Sequence, residues 1–243
     1  MILALESVFD QCSVAFVDLA GNVVAEQTLT GNRLQTQQIL PMIHALMTAS
    51  SIDWSQLTAI AFNRGPGAFS GIRINTAVAQ AIAFAHDLPC LPVSSLQTIA
   101  QSAFELQQCP HVLALTDARM NQLYAGEYAM SDGIMQLVAG ATEHLLDYDS
   151  VIDKDLALVG NGATLVNAQL GQAIFADIRP SAAIIAKLGL ALYQQHQSVP
   201  AELALPVYLR NNAWKTLAEQ KRLNLSADYS YCLKFDSLPF TLL

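Results

Sequence analysis

Charge is scarce in this chain: 13% of its 243 residues are Asp, Glu, Lys or Arg, against 53% hydrophobic residues. The 12 Lys and Arg are outnumbered by 20 Asp and Glu, giving a net charge of −8, and the cations gather only at Lys215, Lys221 and Arg222. A protein that grips nucleic acid by itself shows a basic face. The scatter of cations excludes that, so any polyanion has to be held by a partner. Long apolar runs are missing as well. The richest, Ile74 to Ala85, falls short of the roughly 18–20 residues of a membrane span and contains Asn75, Thr76 and Gln80. Met1 leads straight into a strand-like run, without the basic start and small-residue cleavage site of a signal peptide. The reading is a cytoplasmic protein that stays off the membrane, with its apolar surplus set aside for a protein–protein interface.

Metal and nucleophile patterns are also thin. The four cysteines, Cys12, Cys90, Cys109 and Cys232, form no CxxC pair, which argues against a zinc knot; Cys12 and Cys90 sit in apolar strand contexts and read as core. The five histidines, His44, His86, His111, His144 and His196, are singly placed, with no two at metal-ligand spacing. Ser70 lies in Gly67-Ala68-Phe69-Ser70-Gly71, which is not the Gly-x-Ser-x-Gly of a nucleophile elbow.

What the chain does have is Arg64-Gly65-Pro66-Gly67-Ala68-Phe69-Ser70-Gly71-Ile72-Arg73 between a strand-like run, Leu57 to Asn63, and an Ala-rich helical run, Ile72 to His86. Glycines allow a tight turn here and leave amides bare at a helix N-terminus. A weak repeat accompanies it. Leu3-Ala4-Leu5-Glu6-Ser7 is echoed by Leu113-Ala114-Leu115-Thr116-Asp117, each followed by two more strands around a turn. This suggests a duplicated βββαβα unit. Further helices are expected at Thr36–Thr48, Leu96–Leu106 (with Ser94 and Gln97 as a capping box) and Ser181–Gln195, and strands at Pro89–Val93 and Leu156–Val159.

Together these segments resemble the bacterial TsaB (YeaZ) family: Ile2 to Ser7 with Cys12 to Ala15, Ile39 to Ile43, the glycine loop, Ala79-Gln80 and Pro92 to Leu96. Asp117-Ala118-Arg119-Met120 and Pro206 to Lys215 follow in the same order. Glu6 stands where the family usually has Asp, and Gln35 where it often has His. The match runs to about residue 220; the tail from 222 onward matches nothing familiar.

The resemblance implies an α/β, actin-like, ribonuclease H-like fold of two lobes. The expected division is 1–108 for the N-terminal lobe, 109–205 for the C-terminal lobe, and 206–243 for a segment packing back. It implies a non-catalytic partner of a TsaD-type enzyme, which transfers a threonylcarbamoyl group to the adenosine next to the anticodon of tRNAs reading codons that start with A. Expected partners are that enzyme as a heterodimer, a TsaE-type ATPase, and a second copy of the chain in isolation, with tRNA met only through the complex. The interface is expected on two helices: at Ile39, Leu40, Ile43, Leu46 and Met47 on the first, where the apolar arc exceeds the ~100° of a single core contact, and at Ala77, Ala79, Ala81 and Phe84 on the second, which carries no charge between Arg73 and Asp87 and is rich in small residues. Family-motif positions are Arg64, Gly65, Pro66, Gly67, Phe69, Gly71 and Arg73. Those of the C-terminal motif are Tyr208, Arg210, Asn211, Trp214 and Lys215, read either as pins or as docking groups.

No catalytic residue, no metal and no firmly bound cofactor are expected, and a nucleotide only within the complex. The turns after the first strand of each half, Glu6 to Asp10 and Asp117 to Asn121, lack the glycines that let a phosphate approach the backbone. Ser95 and Ile99 occupy the positions where TsaD-type enzymes carry a His-x-x-x-His pair. Gly160 and Gly162 are the candidate residual nucleotide-side loop. Glu6 and Asp117 read either as an acid pair across a cleft or as local caps. The alternative function is a small-molecule kinase or ATPase of the actin-like fold.

Overall fold

The computed structural model describes residues 1–31, 35–153 and 155–210. Asn211, Trp214, Lys215 and the tail from 222 lie outside the described residues, and Arg210 is the last of them. Met1–Leu209 forms one compact unit.

Its first sheet contains β1 (Ile2–Glu6), β2 (Gln11–Val17), β3 (Val23–Thr30), β4 (Ala59–Asn63) and β5 (Cys90–Val93), ordered β3-β2-β1-β4-β5. β1 pairs antiparallel with β2 and parallel with β4, Leu3 lying opposite Phe16 and Ile60. The central strands are buried on both faces, so alternate residues serve two cores. Leu3, Leu5, Phe16, Ile60 and Phe62 face α1 (Gln35–Ala49) and α2 (Phe69–His86), whereas Ile2, Ala4, Ala15 and Ala61 face α4 (Ala182–Gln194).

The second sheet repeats the plan. β6 (His111–Arg119), β7 (Gln122–Ser131), β8 (Ile134–Leu137), β10 (Ala157–Val159) and β11 (Ile174–Phe175) run β11-β10-β6-β7-β8. The sequence echo thus places β1 and β6 at equivalent central positions, and the actin-like duplication is present. The copies are unequal. A further strand, β9 (His144–Asp147), pairs with the start of β7, and among the described residues only α4 remains of the second copy's helices.

The lobes exchange their last helices. α3 (Ser95–Gln107) follows β5, yet Leu96, Ile99, Ala100 and Ala103 pack on Val112, Ala114 and Val159 of the second sheet. α4 follows β11, yet Ile185, Ala186 and Leu188 pack on the first. The Ser94 hydroxyl caps α3 by accepting from the Leu96 and Gln97 amides, at 3.1 and 3.4 Å. The expected capping box is only half made, because the Gln97 side chain donates instead to the Met135 carbonyl at 2.9 Å.

Candidate functional site: the motif segment and the α1–α2 face

α2 begins at Phe69 rather than Ile72, so the second half of the glycine motif is the helix's own first turn. The first half is a loop tied to three elements. Arg64 donates its amide to the Val93 carbonyl and accepts from the Val207 amide, both at 2.8 Å, while the Gly65 carbonyl accepts from the Ser95 amide at 3.0 Å. The Gly65–Pro66 peptide is cis.

The glycines of this motif serve close packing. A Cβ on Gly71 would lie 2.3 Å from the Ser7 carbonyl oxygen, and one on Gly67 would lie 2.3 Å from Val8 Cγ1. The first turn of α2 is therefore pressed against the β1–β2 turn, and the Ser7 hydroxyl donates to the Gly71 carbonyl at 3.0 Å.

A buried polar chain runs beneath. Glu6 is fully buried; its Oε1 accepts from the Val8 and Phe9 amides and its Oε2 from the Asn63 side-chain amide. Asn63 Oδ1 in turn accepts from the Gly65 amide at 2.9 Å and the Ser95 hydroxyl at 2.6 Å. Asn75 of α2 donates to the carbonyls of Leu5 and Asn63, each at 3.0 Å. Burial pushes the Glu6 carboxyl up to about 7, against the pull of its three donors. Burial likewise raises the Cys12 and Cys90 thiols to about 11, which keeps them protonated and inert.

At the surface end of the motif, the Arg73 guanidinium lies 3.8 Å from the centre of the Phe69 ring. Its Nε donates to the Tyr208 hydroxyl at 3.1 Å, and the Phe69 and Tyr208 rings are 5.8 Å apart. Tyr208 thus contacts the motif through both Arg73 and Phe69. Sequence reasoning named Phe69, Arg73 and Tyr208 separately; nothing in their spacing paired residues 135 positions apart. It missed Asn63, whose signal was a lone amide closing an apolar strand.

The expected interface residues divide into two groups. Ile39, Ile43, Met47 and Ala79 are buried in the core between the helices and the first sheet, and Leu46 packs against it. This corrects their assignment to a docking surface: each points inward at helical spacing. Leu40 is 56% exposed and Phe84 84% exposed, and Ala77 and Ala81 are exposed on the same helix as Phe84. An uncharged stripe, Ala77, Ala81, Phe84 and Ala85, thereby lies open along α2 at helical spacing.

The second lobe offers less. The Gly160 amide donates to the Phe175 carbonyl at 2.9 Å and the Gly162 amide to the Leu115 carbonyl at 3.0 Å. A Cβ on Gly160 would lie 2.4 Å from the Leu115 oxygen. Both amides are engaged within the lobe, and the glycines let the end of β10 press on β6. Asp117 accepts from the Arg119 amide at 2.7 Å and the Tyr148 hydroxyl at 2.6 Å, and pairs with the Arg119 guanidinium at 3.0 Å. Of the two readings for Glu6 and Asp117, the local one describes these contacts: each acid accepts from its own turn's amides and from one side chain of its own lobe, Asn63 for Glu6 and Tyr148 for Asp117. Ser95 and Ile99 are buried, the one bonded to Asn63 and the other in the α3 core. Among the described residues no cluster of three His, Cys, Asp or Glu could hold a metal, and no helix is long and apolar enough to cross a membrane.

A duplicated, two-lobed α/β unit with exchanged helices and an open helical face defines a protein of the actin-like class. Its relatives narrow this further. A family profile described as "TsaD: tRNA N6-adenosine threonylcarbamoyltransferase" matches residues 21–217. The tRNA threonylcarbamoyladenosine biosynthesis protein TsaB of Escherichia coli K12 is 35% identical over 229 residues, covering 89% of this chain and 97% of that protein. The protein of the same name from Haemophilus influenzae is 34% identical over 229 residues, with 89% and 96% covered. The solved structure of YeaZ from Pseudomonas aeruginosa superposes with a TM-score of 0.78 at 35% identity, over 86% of this chain and 99% of that one. The chain belongs to the TsaB (YeaZ) family. A tRNA N6-adenosine threonylcarbamoyltransferase from Ligilactobacillus salivarius is 33% identical over 111 residues, 40% of this chain and 32% of that enzyme.

Proposed function

We propose that this protein takes part in tRNA threonylcarbamoyladenosine synthesis as the non-catalytic partner of a TsaD-type enzyme. The observation that carries this reading is the uncharged α2 stripe around Phe84, together with the exposed Leu40 of α1. Family membership supports the pathway, and the likeness to a threonylcarbamoyltransferase supports the form of the contact. A partner descended from the same fold presents equivalent helices, so the two faces can pack as a helical seam. In isolation the same face pairs with a second copy of the chain.

The docked enzyme supplies acyl transfer, metal and tRNA contacts, which suits a chain of net charge −8. This chain holds the enzyme in its active arrangement, in the cytoplasm, with a TsaE-type ATPase joining the complex. Asp117, Gly160 and Gly162, engaged in local hydrogen bonds, lend no support to the alternative of a small-molecule kinase.

The test is single-turnover modification of unmodified tRNA by the cognate TsaD-type enzyme, with preformed threonylcarbamoyl-AMP and with or without this protein. Product only when both proteins are present, and its loss with Phe84→Glu, is the expected result. Equal product without this chain refutes the reading.

A further inference from the structure

β3 closes one edge of the first sheet, and among the described residues no strand pairs with its outer side. The opposite edge is sealed by the chain itself: Cys90 of β5 and Val199 exchange amide–carbonyl bonds of 2.8 and 2.9 Å. β3 is exposed along most of its length, and Val23-Val24-Ala25-Glu26-Gln27-Thr28-Leu29-Thr30 contains neither the Lys nor the Pro that commonly guards such an edge. One bond identifies its outward groups. The Gly31 amide donates to the Asp10 carbonyl at 3.1 Å, so Leu29, Gln27 and Ala25, two, four and six residues before it, turn their amides and carbonyls toward β2. Glu26, Thr28 and Thr30 turn theirs outward. Val23 and Val24 lie at the register shift opposite Phe16 and Val17, where this alternation breaks.

We propose that β3 pairs antiparallel with β3 of a second copy of this chain, about a two-fold axis through Thr28, joining two five-stranded sheets edge to edge. The inference does not rest on the partner-docking reading, since β3 is no part of the α2 stripe.

The edge is complementary to itself. Each outward residue offers one amide and one carbonyl, and with Thr28 opposite Thr28 and Glu26 opposite Thr30 every one of them finds its counterpart on the other strand. Moving the axis to Gln27 sets Thr30 against the bulged Val24, and moving it to Glu26 does the same to Thr28. Charge selects the same register. Glu26 is the only charged residue of β3, and an axis at Glu26 sets two carboxylates face to face. The Thr28 register separates them by four residues, about 14 Å along the strand, which exceeds the ~8 Å screening length at physiological salt. The side chains match as well. Thr28 bonds the Ser13 hydroxyl at 2.7 Å and Glu26 accepts from the Ala183 amide at 3.4 Å, so the outward residues share the α4 face. A two-fold axis perpendicular to the sheet sets that face beside its copy, threonine against threonine, a favourable cross-strand pair. Such pairing uses up both edges and stops at two copies.

The experiment uses the full chain carrying Phe84→Glu, so that a dimer through the α2 stripe does not compete. Sedimentation velocity over a concentration series reads the oligomer, and amide hydrogen exchange by NMR reads Glu26, Thr28 and Thr30. Expected is a dimer that forms with concentration and slows exchange at those three amides as it forms. Thr28→Pro removes the central outward donor, which β2 does not use, and returns the monomer. Thr30→Lys, opposite Glu26 in both symmetry-related pairs, tightens the dimer roughly 2- to 30-fold. Thr30→Glu weakens it, and adding Glu26→Lys to Thr30→Glu restores it. The charge variants carry the test if Thr28→Pro does not fold. A monomer at every concentration overturns the proposal, whether exchange at the three amides is fast or slow. A dimer that responds to neither Thr28→Pro nor the charge at Thr30 overturns it too, and a dimer lost with Thr28→Pro but indifferent to that charge overturns the register.

Discussion

At Gly71, backbone meets backbone. Gly71→Ala would set a Cβ 2.3 Å from the Ser7 carbonyl oxygen and 3.1 Å from Val8 Cα. That is about 1 Å inside the ~3.3–3.6 Å at which carbon and carbonyl oxygen come to rest. Gly71 lies in the first turn of α2, where alanine would otherwise be favoured by ~0.8–1 kcal/mol. The clash therefore opposes a propensity gain. Overpacking costs roughly 1–3 kcal/mol. Moving the β1–β2 turn also weakens the Ser7–Gly71 hydrogen bond and the Val8 contact to Glu6, about 1 kcal/mol each. The net expectation is a loss of about 3 kcal/mol, a fall of roughly 6–12 °C in melting temperature for a chain of this size. Ser70→Ala, on the same turn but exposed, is the control and stays within ~0.5 kcal/mol of wild type. Urea and thermal unfolding of the three proteins measure this. A Gly71→Ala protein as stable as Ser70→Ala would refute the close-packing role of the motif glycine.

Four further substitutions probe the same framework. Burial raises Glu6 to about 7 from 4.5, so the folded state holds that proton more tightly; its contribution is full below pH 4.5 and is lost as pH rises through 7, roughly 3 kcal/mol in all. Glu6→Gln does not titrate, so wild type loses more stability than the variant between pH 5 and 8 in urea unfolding, and parallel pH profiles contradict the shift. Asn63→Asp replaces the donor facing Glu6 Oε2 with a second carboxylate; it is expected to destabilise more at pH 8 than at pH 5, where the two acids share a proton, and a loss independent of pH argues against their contact. Phe84→Glu, on an exposed position, leaves the melting temperature within about 1 °C but abolishes co-elution with the TsaD-type enzyme, whereas Ile43→Glu, 2% exposed, prevents folding; a folded Ile43→Glu chain would overturn the core assignment.

Much of the fold was legible along the chain because its signals are local. Apolar strands, Ala-rich helices and the turn glycines announced themselves within a few residues, and the echo of Leu3–Ser7 in Leu113–Asp117 marked two strands that prove central and equivalent. Boundaries moved where a neighbour intervened: α2 starts three residues early because the β1–β2 turn supports its first turn. The α1–α2 face was half legible. A helix buried on one side and uncharged on the other shows one broad apolar arc, and the arc does not say which part meets the sheet. Only packing on Leu3, Phe16 and Phe62 assigned Ile39, Ile43 and Ala79 inward and left Leu40, Ala81 and Phe84 outside.

Sequence alone determined the family, the duplicated α/β plan and the motif segments, since those rest on residue order and local periodicity. Tertiary structure decided which helix covers which sheet, which glycines are packing contacts, and that Glu6, Asn63 and Ser95 form one chain of hydrogen bonds. Each of these is a contact between residues far apart in sequence, and geometry of that kind is created only when the chain folds and packs its elements together.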